Sequence, residues 1–132
     1  MSKMACLCCG IMSDVLGPSP TEGWILREQD QEAYQDAVGR DIVEFFAAVD
    51  AGRRDVWIQE FFSTQYPTDL GNEEVVTDIL LVHDRRFTLS VAECERCGRL
   101  WVQRRPGANS YRSFPPDEPG YAGVLRSRPI RE

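Results

Sequence analysis

The chain has no apolar run near the roughly 20 residues that a membrane-spanning helix needs. Its start, Met1-Ser2-Lys3-Met4-Ala5-Cys6, lacks the charged segment and long apolar stretch of a secretory signal. Both absences lead to the expectation of a soluble, cytoplasmic protein. There is one histidine, His83. No Ser/His/Asp triad can be argued from spacing; His83 lies near Asp78 and Asp84, and against a catalytic or ligand role the simpler reading is a surface or half-buried helix residue. No internal repeat is visible apart from a short cysteine pattern. Cysteine itself is scarce and odd in number: five residues leave one over after any two pairs. In a reducing compartment such clustered thiols favour metal or redox chemistry over structural disulfides.

What is present suffices for a globular domain. Hydrophobic residues make up 42% of 132 positions, and a chain of this size buries roughly two-thirds of its unfolded surface. The expectation is a single domain. Charge is divided along it. Residues 1–84 carry 5 basic and 16 acidic side chains, a net −11; residues 85–132 carry 10 arginines and 5 acids, a net +5. Intramolecular balance and solvated faces are the simplest account; an anionic partner for the basic end is the sharper one.

Residues 30–51 read as an amphipathic helix. Asp30 is its expected N-cap, Gly52 its C′ residue, and Tyr34, Ala37, Val38, Ile42, Phe45, Phe46 and Val49 recur at helical spacing. Gly39 inside this helix costs about 1 kcal/mol relative to alanine. A second helix is expected at 55–64, with Trp57, Ile58, Phe61 and Phe62 on one face and Pro67 blocking continuation. These aromatics with Tyr66 read as core before partner-binding groove. Segment 73–83, with Asn72 as a possible N-cap, fits a helical face, but its β-branched residues are also good strand material. Glu73, Glu74 and Asp78 suit a helix start. From Arg86 the period becomes two: Phe87, Leu89 and Val91 form a strand, Leu100–Gln103 a second, and Tyr111–Phe114 a third after a turn at 106–109. Residues 115–132 read as an irregular tail with a mobile end.

The chemistry concentrates in two segments, Cys6-Leu7-Cys8-Cys9-Gly10 and Cys94-Glu95-Arg96-Cys97-Gly98, which share the pattern C-x2-C-G. Two thiolates three positions apart on a tight turn can face one ion about 2.3 Å from each sulfur. Glycine tolerates the positive φ such a turn commonly needs. Zinc accepts four thiolates tetrahedrally; mononuclear iron fits the same geometry. Register with the second segment pairs Cys6 with Cys9, beside Cys94 and Cys97; Cys8 is the alternative ligand. A thioredoxin-like thiol site would open a helix after a strand, whereas Cys94 lies between two strand-like runs.

Here the chain resembles the zinc-ribbon group, in which two such knuckles clamp one zinc beside a small antiparallel sheet. The likeness covers about 35 residues and departs from the group in that 84 residues separate Cys9 from Cys94. It implies an α+β fold: a zinc-ribbon-like sheet from both chain ends (1–16 and 86–114) with a helical insertion at 30–83. It implies a structural zinc and no particular activity. The expected role is a non-enzymatic module that meets another protein. Nucleic acid is the alternative partner, through Arg96, Arg99, Arg104, Arg105 and Arg112 interleaved with Trp101, Tyr111 and Phe114. The sequence pI near 4.8 weighs against it. A thiol redox role is the third reading.

Overall fold

The computed structural model describes residues 3–8, 10–13, 19–119 and 122–127. The fold is α+β. Strands from both parts of the chain form two antiparallel sheets, and three helices lie between them in sequence among the described residues. The chain divides into two compact units: Met1–Ile25 with Thr88–Glu132, and Leu26–Phe87.

The helical unit contains α1 (Glu28–Asp50), α2 (Arg54–Phe61) and α3 (Asn72–Phe87). Helix α1 begins two residues earlier than its sequence signals. Arg27, not Asp30, is the N-cap, with no side-chain cap bond. Asp30 sits in the first turn, where its carboxylate pairs with Arg27 Nε at 2.7 Å and favours the positive end of the helix dipole. At the other end Gly52 has φ +71°. The Arg53 amide donates to the Ala48 carbonyl and the Gly52 amide to that of Val49, the paired bonds of a Schellman cap.

Segment 73–83 resolves as helix and continues through Phe87, so the strand expected from Phe87 starts one residue later. Val75, Ile79 and His83 are buried at four-residue steps, and this one-sided period outweighs β-propensity. Phe87 extends the same row, its ring edge-on to Tyr34 at 5.9 Å. Helix α2 ends at Phe61, three residues short of expectation. Phe45, Ile58, Val75 and Ile79 form the centre of the core, with Trp57, Phe61, Phe62 and Tyr66 packed against it. The Trp57 and Phe61 rings stack at 4.9 Å, and those of Phe62 and Tyr66 at 4.1 Å. The aromatic cluster is therefore core.

His83 departs from its expected exposure. It is 3% exposed, and its Nε2–H donates to the Asp41 carboxylate on α1 at 2.6 Å. Its acidic sequence neighbours are engaged elsewhere: Asp84 accepts from the Tyr34 hydroxyl, and Asp78 from that of Tyr66.

The β unit holds a two-stranded sheet, β1 (Lys3–Ala5) and β2 (Ile11–Ser13), in antiparallel register from Lys3↔Ser13 to Ala5↔Ile11. The second sheet has the order β3-β4-β5-β6: β3 (Glu22–Leu26), β4 (Thr88–Glu93), β5 (Leu100–Gln103) and β6 (Tyr111–Phe114). Strand β3 carried no sequence signal: Trp24 is 69% exposed and Gly23 interrupts the run. Its partner supplies the reason for it, since the Glu93 amide donates to the Thr21 carbonyl at 2.7 Å. A Cβ on Gly23 would lie 3.4 Å from Val91 Cγ1. Strands β5 and β6 match their expected spans, and Gly107, at φ +77°, makes the turn between them.

The segment after β6 is not simply a loose tail. Glu93 is 2% exposed, and its carboxylate accepts from the backbone amides of Gly123, Val124 and Leu125 at 2.9–3.5 Å. The chain end expected to be mobile lies outside the described residues.

Candidate metal centre

Two hairpin tips build the site, both within the β unit. The first joins β1 to β2. It is closed by the Cys6 amide donating to the Gly10 carbonyl at 2.8 Å and carries Cys6 and Cys8. The second follows the Glu93↔Leu100 pair at the end of β4 and β5. There the Cys94 amide donates to the Arg99 carbonyl at 2.9 Å, and the Gly98 amide to the Cys94 carbonyl at 2.8 Å. Gly98 takes φ +75°, the conformation expected of a glycine after C-x2-C.

The four sulfurs of Cys6, Cys8, Cys94 and Cys97 all lie within 4.8 Å of one another. The Cys6–Cys97 and Cys8–Cys94 pairs are 3.6 and 3.5 Å apart. No disulfide links them. A tetrahedral ion bonded at 2.3 Å to four sulfurs separates them by about 3.8 Å. The cluster therefore has the size of a metal-thiolate site, and its four cysteines are positioned to bind a metal ion. Cys6 and Cys94 are buried, Cys97 half-buried and Cys8 exposed.

The electrostatics are those of thiols held around one point. Burial opposes ionisation of Cys6, but the Cys8 backbone amide, the Trp101 indole and the Cys97 and Cys94 thiols outweigh it and bring the Cys6 thiol down to about 6. Burial is the main cause that pushes Cys94 up, against the Cys97 and Arg96 amides. At Cys97 the Arg99 amide favours the thiolate, but burial and the Cys8, Cys6 and Cys94 sulfurs prevail and push it up to about 12. One sulfur takes negative charge readily and its neighbours then resist. A divalent cation at the centre removes that resistance, because coordination deprotonates thiols outright.

Two further features fit an ion. Gly10 is a cradle: a Cβ there would lie 3.1 Å from Cys94 Sγ, 3.1 Å from Arg96 Cδ and 3.4 Å from Cys8 Sγ. The Trp101 Nε1 is buried with no hydrogen-bond partner.

The sequence reading named Cys6, Cys94 and Cys97, which the fold brings together. The fourth sulfur in the described cluster is that of Cys8, the alternative; Cys9 lies outside the described residues. Among the described residues the two halves of the site are C-x-C and C-x2-C. The arginines are scattered. Arg99 Nη1 donates to Ser113 Oγ at 3.0 Å and Arg104 Nε to the Tyr111 carbonyl at 3.5 Å, while Arg96, Arg105 and Arg112 are exposed. Trp101 and Glu93 were missed as parts of this region. Trp101 read as a strand residue interleaved with the arginines of a possible nucleic-acid surface, and nothing in one sequence marks a carboxylate that will meet amides some 30 residues later.

A family model matches residues 2–118 of the chain, a span that includes both cysteine tips. The chain belongs to the DUF8617 family, described as a domain of unknown function. No curated protein and no solved structure matches it. Within this DUF8617 domain the cysteine cluster is the arrangement with the clearest chemistry.

Proposed function

We propose that this DUF8617 domain is a small protein-interaction module held by one structural zinc ion, with Cys6, Cys8, Cys94 and Cys97 as ligands. The observation that carries the reading is the convergence of four sulfurs from two hairpin tips on one ion-sized point. Four protein ligands leave no open position for substrate or water, which is the pattern of structural rather than catalytic zinc. Zinc and iron share the geometry; zinc is favoured because it holds tetrahedral thiolates without redox chemistry of its own. Reduced, unpaired thiols suit a cytoplasmic setting. None of the described helices is long and apolar enough to cross a membrane.

A protein partner is favoured by what the first tip displays. Leu7, between Cys6 and Cys8, and Ile11, just past the tip, are 70% and 74% exposed, apolar side chains that a protein partner would cover. The arginine-rich segment is the weaker candidate, because Arg99 and Arg104 are already engaged within the sheet.

Elemental analysis of protein purified under reducing conditions tests the centre. One zinc per chain is expected, lost in Cys94→Ser and Cys8→Ser and retained in Cys9→Ser. Less than half an equivalent of any metal defeats the reading. One iron in place of zinc replaces the ion, and loss in Cys9→Ser with retention in Cys8→Ser replaces the ligand.

A further inference from the structure

Trp101 lies on β5 between Ala92 on β4 and Ser113 on β6. Its indole nitrogen can only donate a hydrogen bond, and it is buried without a partner. Leaving a buried donor unpaired is costly, and buried indoles usually find an acceptor. Its cross-strand neighbours, Ala92 and Ser113, do not supply one. Ala92, its cross-strand partner, stands two residues before Cys94, whose sulfur clusters with that of Cys6, and the indole helps draw negative charge onto the Cys6 thiol; these sulfurs are the acceptors the site offers. A neutral thiol is a weak acceptor, whereas a metal-bound thiolate carries charge and accepts well. Four thiolates around a divalent ion also leave two negative charges over, in a place where Cys6 and Cys94 are buried. Such a centre needs donors aimed at its sulfurs, and ligand-orienting partners of this kind govern affinity.

We propose that Trp101 is a positioning residue of the metal centre: its indole N–H donates to the Cys6 thiolate when the ion is bound, fixing that sulfur and offsetting its charge. The inference rests on the zinc reading above. Metal loading satisfies the orphaned donor. Trp24 and Trp57 have no such role: Trp24 is exposed, and Trp57 stacks within the helical core.

The test loads wild-type protein and two variants with cobalt(II) and then displaces it with zinc in competition with a chelator. Trp101→Phe removes the N–H. Replacement of Trp101 by 3-benzothienylalanine removes it while keeping the bicyclic volume, so lost packing and the lost donor are separated. Wild type should take up one cobalt with a tetrahedral thiolate spectrum. Both variants should bind one equivalent with zinc affinity about tenfold lower. The Trp101 indole proton, alone among the three tryptophans, should shift downfield on loading. A wild type that takes up no cobalt overturns the metal centre and this inference together. A wild type that binds while the benzothienyl variant binds equally tightly, with the indole proton unmoved, overturns this inference alone.

Discussion

At the scale of single residues the centre is set by a missing atom as much as by sulfur. Gly10 is buried, and a methyl there would approach Cys94 Sγ and Arg96 Cδ to 3.1 Å, closer than side-chain carbons normally pack. The arginine can move aside, but a sulfur held in a tetrahedron cannot. Gly10→Ala is therefore expected to weaken zinc binding by about tenfold, as loss of ligand orientation does elsewhere, with helix content unchanged by circular dichroism. Equal affinity in a chelator competition would show that the hairpin relaxes around the methyl. The glycine was legible as part of C-x2-C-G; that its role is space against the opposite cysteine was not, since Cys94 is 84 positions away.

At the scale of elements the α1–α3 pair is registered by a buried polar contact, in addition to the Tyr34–Asp84 hydrogen bond. Asp41 and His83 have side chains 7% and 4% exposed and meet across the helices at 2.6 Å. Arg40 Nε donates to the other carboxylate oxygen at 3.2 Å. Removing one member of a buried polar pair leaves the other without a partner. Asp41→Ala should cost about 3 kcal/mol in urea unfolding, with Asp41→Asn, which keeps an acceptor oxygen, costing less. Equal losses would mean that side-chain volume matters there, not the hydrogen bond. Sequence periodicity placed both helices but could not pair these residues. Their separation of 42 positions is fixed by how two apolar faces meet, and one side chain on an otherwise apolar row reads the same whether it is satisfied or exposed. Asp30 illustrates the complementary error. Its side chain suits a cap, yet the helix starts at Glu28 because Arg27 already has extended geometry.

At the scale of the whole molecule the two units have unequal means of support. The helical unit buries Phe45, Ile58, Val75 and Ile79 completely, within a shell of stacked aromatics. The described core of the β unit is thin: Leu89, Val91, Cys6 and Cys94 are its buried apolar residues. Metal binding in such a setting is largely folding energy. Stripping the ion with a strong chelator should therefore broaden or shift amide resonances of β1, β2 and the Cys94–Gly98 turn, and leave the helical signal and the Trp57 environment intact. Restored metal should return the spectrum. Simultaneous loss of helix would show that the two units unfold as one and that the ion supports both.

The sequence by itself determined the α+β class, the helices, two of the C-terminal strands and the fact that cysteines from both ends of the chain would meet. Each of these follows from local period, from turn chemistry or from a repeated spacing, which need no knowledge of distant neighbours. Tertiary structure decided which sulfur stands fourth among the described residues, that Trp24 lies on a strand, that Glu93 gathers three amides beyond β6, and that Trp101 buries a donor without a partner. The physical reason is common to all of them. A hydrogen bond or a coordination shell is a relation between groups far apart in the chain, and it exists only after burial has brought them within a few ångströms.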